Sequence, residues 1–77
     1  MRQEAALLEF GKKVQSVRSS QSISQEKLAE LCNLDRTYIS SVERGQRNIS
    51  ILNILKISKA LNIMASSLLE GLGDFNE

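Results

Sequence analysis

SQEKLAELCNLDRTYISSVERGQRN, residues Ser24 to Asn48, is the stretch that decides the fold. Ser24 has the hydroxyl of an N-cap, and Gln25 and Glu26 then fall in a first helical turn. Leu28, Ala29 and Cys32 recur at helical spacing and make a short buried face. Asn33 stands where that helix must stop, and asparagine tolerates the left-handed backbone region that such stops use. Asp35 is a second N-cap only two residues later. A further helix runs from Arg36 to Arg44, with Ile39 and Val42 inward, and Gly45 ends it. Two short helices joined by so tight a turn cross steeply, and the second is presented at the surface with its N-terminal side chains outward. A helix held that way fits the DNA major groove, about 12 Å wide.

Outward from this core the pattern stays helical. Leu7, Phe10, Val14 and Val17 form one apolar stripe upstream, and the poor helix formers Ser19 to Ser22 end it. Downstream, Ser50 caps a helix in which Ile51, Ile54, Ile57 and Leu61 repeat at helical spacing, and Asn62 is another left-handed stop. A short fifth helix follows, and the tail from Gly71 is expected to fray. The sequence therefore predicts an all-α single domain over residues 1–77, with helices near 3–18, 24–32, 36–44, 51–61 and 64–70.

Composition narrows the functional classes. The chain has 77 residues, no proline and four glycines, enough for one small helical domain. A domain this small buries only about 60% of the surface its unfolded chain exposes, so a supplement to its stability is expected. Cys32 is the only cysteine and there is no histidine, which rules out an internal disulfide and leaves no zinc ligand set. Association with a second copy is the supplement still open. No apolar run is long enough for a membrane, and the first ten residues do not read as a secretory signal, so a cytoplasmic protein is expected. Without histidine, metal ligands or a phosphate-cradling glycine loop, an enzyme is not expected, nor is a cofactor or a small-molecule ligand.

The net charge of +1 conceals a gradient. Residues 11–59 carry nine bases and four acids, residues 60–77 carry three acids and no base, and residues 1–10 carry one base and two acids. A basic middle between acidic ends suits a phosphate-facing centre, although scattered charges on a solvated surface give the same count.

The stretch from Ser24 to Asn48 resembles the Cro and lambda-repressor type of helix-turn-helix, the Xre family. Arg18, Ser24, Gln25, Leu28 and Ala29 match the first part of its pattern, and Ile39, Ser40, Val42, Glu43, Arg44 and Gly45 match the second. The likeness continues to Leu61. Within that family, LDRTYIS followed by ERGQRNIS is most similar to the controller proteins of restriction–modification systems. The chain departs from the pattern at Asn33 and Ser22, which replace common glycines, and at Met64, which replaces a common cap residue.

The site residues follow from both sources. Arg36 and Thr37 open the third helix, where side chains meet base edges first, and the resemblance assigns base contacts there. Gln25, at the start of the second helix, can bond a phosphate or brace a side chain of the third. Tyr38 can pack its ring at the helix junction and reach a phosphate with its hydroxyl. Ser40 and Ser41 are further contacts, and Lys27 and Arg44 attract phosphate at longer range, with Arg44 equally explained as a charge at a helix C-terminus. The resemblance adds Arg47, Asn48 and Asn53 as DNA contacts. It also implies an ion pair between Arg18 and Glu43 that ties the first helix to the third. Cys32 reads as core.

For Ile63, Met64, Leu68, Leu69 and Phe75 two readings stand, the protomer core or a dimer face, and the resemblance favours a homodimer. The function so implied is a sequence-specific regulator of transcription on near-palindromic double-stranded DNA. If the controller likeness holds, two dimers occupy adjacent sites and RNA polymerase is a further partner. A phage-type or chromosomal repressor or antitoxin is the rival within the fold. An adaptor that does not bind DNA is the rival outside it.

Overall fold

The apolar spacing and the caps produce five helices in the computed structural model, which describes residues 3–72. They are α1 (Gln3–Ser20), α2 (Gln25–Cys32), α3 (Arg36–Glu43), α4 (Ile51–Ala60) and α5 (Ala65–Leu69). No strand occurs among the described residues. Phe75 lies outside them.

Four of the helices end in the same way. Ser22, Asn33, Gly45 and Asn62 take left-handed φ of 59°, 58°, 73° and 57°. At each stop the amide of that residue and the amide after it bond back into the last turn, as in Asn33 N–H to the Glu30 carbonyl (3.2 Å) and Leu34 N–H to the Ala29 carbonyl (2.9 Å). The starts are less uniform. Ser24 Oγ accepts from Lys27 N–H at 3.0 Å and Ser50 Oγ from Asn53 N–H at 3.2 Å. Asp35 occupies the N-cap position of α3, but its side chain makes no bond to the backbone there. Helix α1 runs two residues past its expected end at 18, because Ser22 takes up the left-handed stop.

The core is Phe10, Val14, Leu28, Ala29, Cys32, Ile39, Val42, Ile57, Leu61 and Leu68. The expected inward faces of α2 and α3 are thus observed. Two expectations are corrected. Ile51, read as part of the apolar stripe of α4, is 71% exposed, because the core reaches only the later turns of that helix. Leu68, a candidate for the dimer face, is fully buried and completes the protomer core, and Ile63 packs against the same cluster.

The position of α3 depends on Gly11. A Cβ there would lie 2.6 Å from the Glu43 carbonyl oxygen and closer still to that of Val42. Only glycine lets α1 cross α3 at this distance, which fixes how far α3 stands from the body.

Candidate nucleic-acid interface

One face of α3 carries Ile39, Val42 and Glu43, all buried, and the other carries Arg36 and Thr37, both exposed. The buried carboxylate anchors the helix from behind. Arg18 donates to it twice, Nε to Oε2 at 2.7 Å and Nη2 to Oε1 at 3.1 Å. Gln25 Nε2 donates to the same Oε1 at 2.9 Å, and Arg18 Nη1 reaches the Ile23 carbonyl at 2.8 Å. The expected pair of Arg18 and Glu43 is therefore present, and it neutralises the buried acid of α3. Gln25 takes the bracing role, and among the described residues its carbonyl oxygen and second amide hydrogen make no hydrogen bond.

The outer face is held by its own side chains. Thr37 Oγ1 donates to Asp35 Oδ2 at 3.1 Å, and Ser41 Oγ donates to the Thr37 carbonyl at 2.9 Å. Arg44 spans from Ser40 Oγ (2.6 Å, from Nη1) to Gln46 Oε1 (3.3 Å, from Nε). Asn53, in the first turn of α4, donates through Nδ2 to Tyr38 Oη at 3.0 Å, and the Arg47 guanidinium carbon lies 5.2 Å from the centre of the Tyr38 ring. That geometry is a cation–π contact. Because the tyrosine hydroxyl accepts from Asn53, its own hydrogen is left to donate outward.

Most of the expected contact residues therefore fall into three clusters, the first of which also takes in the N-cap residue Asp35. Asp35, Thr37 and Ser41 surround the start of α3. Ser40 and Arg44 lie along its flank. Tyr38, Arg47 and Asn53 bridge α3, the following loop and α4. Arg36 and Asn48 are exposed and make no side-chain hydrogen bond among the described residues. Lys27 is drawn into an exposed pair with Glu30 at 3.2 Å. An arrangement of exposed arginines, hydroxyls and amides around a presented helix terminus can bond phosphates and base edges together.

Sequence reasoning missed Asp35 as a partner of Thr37, because spacing does not report rotamers. It also missed Ile51, Leu52 and Leu55, which are 71%, 68% and 49% exposed on one side of α4. Their exposure was invisible to a pattern that only counts apolar residues. Cys32 is buried with its thiol 3.8 Å from the Lys56 carbonyl. Burial pushes the thiol pKa up, and the Lys56 charge offsets part of that rise. Among the described residues no cluster of three potential metal ligands is found, and no helix is long and apolar enough to cross a membrane.

Comparison with known proteins matches this geometry. The helix-turn-helix family pattern covers residues 14–64. The control protein C.BamHI of Bacillus amyloliquefaciens is 58% identical over 62 residues, which are 79% of this chain and 76% of that one. The crystal structure of the restriction–modification controller protein C.AhdI from Aeromonas hydrophila superposes with a TM-score of 0.82 at 48% identity, over 83% of this chain and 97% of that one. The restriction–modification controller protein C.Esp1396I, solved as a tetramer in complex with its natural 35-base-pair operator, gives a TM-score of 0.78 at 35% identity, over 84% of this chain and 86% of that one. The chain belongs to the helix-turn-helix family and, within it, to the control proteins of restriction–modification systems.

Proposed function

We propose that this protein is a sequence-specific DNA-binding regulator of transcription that acts as a homodimer and controls the expression of a restriction–modification system, its own gene included. One observation carries the reading. Helix α3 is fixed from behind by Ile39, Val42 and the Glu43 hub, and it turns Arg36 and Thr37 outward at its N-terminus. Arg36 can bond both O6 and N7 of a guanine, while Tyr38, Arg47, Asn53 and Gln25 reach the flanking phosphates. The reading assigns binding and no catalysis, and it places the protein with the DNA in the cytoplasm. The operator-bound tetramer of C.Esp1396I supports a second dimer beside the first. Contact with RNA polymerase belongs to the same proposal.

The homodimer rests on apolar surface that the protomer leaves uncovered. Ile51, Leu52 and Leu55 of α4, with Met64 and Leu69 near α5, remain exposed. Of the five residues first considered, Met64 and Leu69 thus stay available, and α4 supplies the rest. This face begins within one turn of Asn53, which holds Tyr38. A second copy joined there sets two α3 helices on one side of a duplex, about 34 Å apart in successive major grooves.

Selection of duplexes from a random pool, followed by titration of the selected site, tests the reading. The selected site is expected to be a near-palindrome, with affinity falling steeply as salt rises. Arg36→Ala is expected to lose about 1–3 kcal/mol on that site and to flatten the preference at one base pair of each half-site. Failure to enrich any sequence over random competitor overturns the proposal.

A further inference from the structure

Asp35 sits at the N-cap of α3 but does not cap it. Ser24 and Ser50, at the equivalent positions of α2 and α4, each accept from a backbone amide. The Asp35 carboxylate makes no such bond and accepts instead from the Thr37 hydroxyl at 3.1 Å. Both residues are exposed, on the face where base contacts are proposed. A carboxylate there also faces the phosphates with the wrong charge. An exposed acid that forgoes its structural bond and repels the ligand needs another reason to stand there.

The hydrogen-bond arithmetic supplies one. A threonine hydroxyl has one hydrogen and two lone pairs, and an ionised carboxylate can only accept. The bond between them therefore commits the hydroxyl hydrogen to Asp35. Ser41, one turn on, commits its hydrogen likewise to the Thr37 carbonyl at 2.9 Å. Ser40 differs: its oxygen accepts from Arg44 at 2.6 Å, so its own hydrogen stays free.

We propose that Asp35 is a specificity-determining residue, setting the polarity of Thr37 so that Thr37 offers a base edge an acceptor oxygen and a methyl group and never a donor. This rests on the DNA-binding reading above and deepens it. In the major groove an acceptor and a methyl suit the N6 amino group of adenine, the N4 amino group of cytosine or the methyl of thymine. They do not suit guanine N7 and O6, or adenine N7, which can only accept. Asp35 touches no base in this account and acts through Thr37.

The test uses the full chain and the selected operator. Thr37→Ala first locates the base pair that Thr37 reads. At that pair, removal of the purine N7 by a 7-deaza analogue is expected to change wild-type affinity less than twofold. Removal of the amino group or of the thymine methyl is expected to cost about fivefold or more, the low end for one lost base contact. Asp35→Ala frees the hydroxyl hydrogen and is expected to change the ranking of the four base pairs at that position by about fivefold. In the Thr37→Ala background the same substitution changes no ranking. Asp35→Gly, which an N-cap tolerates well, gives the same readout if the alanine variant melts early. Loss of the repulsive charge alone raises affinity for every duplex equally and leaves the ranking intact. The inference is overturned if Thr37→Ala alters no base pair, if N7 removal abolishes the Thr37 contribution, or if both Asp35 variants keep the wild-type ranking. A wild-type protein that selects no sequence overturns the DNA-binding reading itself, which is a separate result.

Discussion

Glu43→Ala removes the carboxylate on which three hydrogen bonds converge, two from Arg18 and one from Gln25. The Glu43 side chain is 3% exposed and the Arg18 side chain 12%, so the substitution strands a guanidinium that water barely reaches. Its remaining partner is the Ile23 carbonyl. Charge-assisted bonds contribute about 1.5–3 kcal/mol each, but the three do not add, because Gln25 can turn to solvent and Arg18 lies at the rim. Breaking a buried pair from one side costs about 3–5 kcal/mol, and the rim position argues for about 3. Total stability for 77 residues is of the order of 4–12 kcal/mol. At about 4–8 °C per kcal/mol the melting midpoint falls by about 12–24 °C. Circular dichroism melts at one protomer concentration measure this, since a dimer's midpoint moves with concentration. Adding Arg18→Met removes the stranded charge, so the double variant is expected to melt above Glu43→Ala alone. A single variant within about 2 °C of wild type, or a double variant no better than the single, would refute the assignment of a buried charge hub.

Two further outcomes follow from packing. Gly11→Ala replaces the poorest ordinary helix former with the best, yet its methyl meets the backbone carbonyls of Val42 and Glu43. A net loss on the order of 2 kcal/mol is expected from urea unfolding, and a gain in stability would mean that α1 does not cross α3 so closely. Leu52→Glu places a charge on the exposed apolar side of α4, where Leu52 is 68% exposed and not part of the protomer core. Sedimentation is expected to show a shift to monomer with the helical spectrum retained, and a variant that still dimerises like wild type moves the joining face elsewhere.

How much of this could be read beforehand differed by kind of residue. Asn33, Gly45 and Asn62 announced their turns, because few residues adopt a positive φ and these do so readily. Ser22 adopts the same conformation although serine itself does not signal it, and only the family glycine it replaces pointed there; α1 accordingly ran past its expected end. Leu28, Ile39 and Val42 were legible as core because periodicity reports which side of a helix is apolar. It does not report where along the helix the core stops, so Ile51 and Ile57, on the same stripe, have opposite fates. Gly11 gave no warning at all. A glycine inside a helix reads as a weak propensity until the neighbouring helix is in place. At the candidate interface, residue types and register were legible and the rotamers were not. The pairs Asp35–Thr37 and Arg47–Tyr38 exist only once side chains are placed.

Those rotamers bear on how the energy of recognition is divided. Immobilising a flexible side chain on binding costs about 0.5–1.5 kcal/mol. Thr37, Ser41, Arg44, Tyr38, Arg47 and Asn53 are already restrained by partners within the free protomer, so folding has met much of that cost. Arg36 has no such partner among the described residues, and it carries the long side chain with the most freedom to lose. The restrained group is therefore expected to set register, and Thr37 to meet its base pair, with little penalty. In the proposed DNA-binding role Arg36 is expected to gain only where a guanine receives both of its bonds, and elsewhere to lose its freedom for nothing. Discrimination by Arg36 at its own base pair and docking by Ser41, Arg44, Tyr38, Arg47 and Asn53 are thus expected to be separable, with Thr37 the one restrained residue that also reads a base. Arg36→Ala is expected to flatten the preference at its own base pair at unchanged salt dependence, whereas Arg47→Ala is expected to weaken binding on every duplex and to flatten the salt slope by about one per protomer.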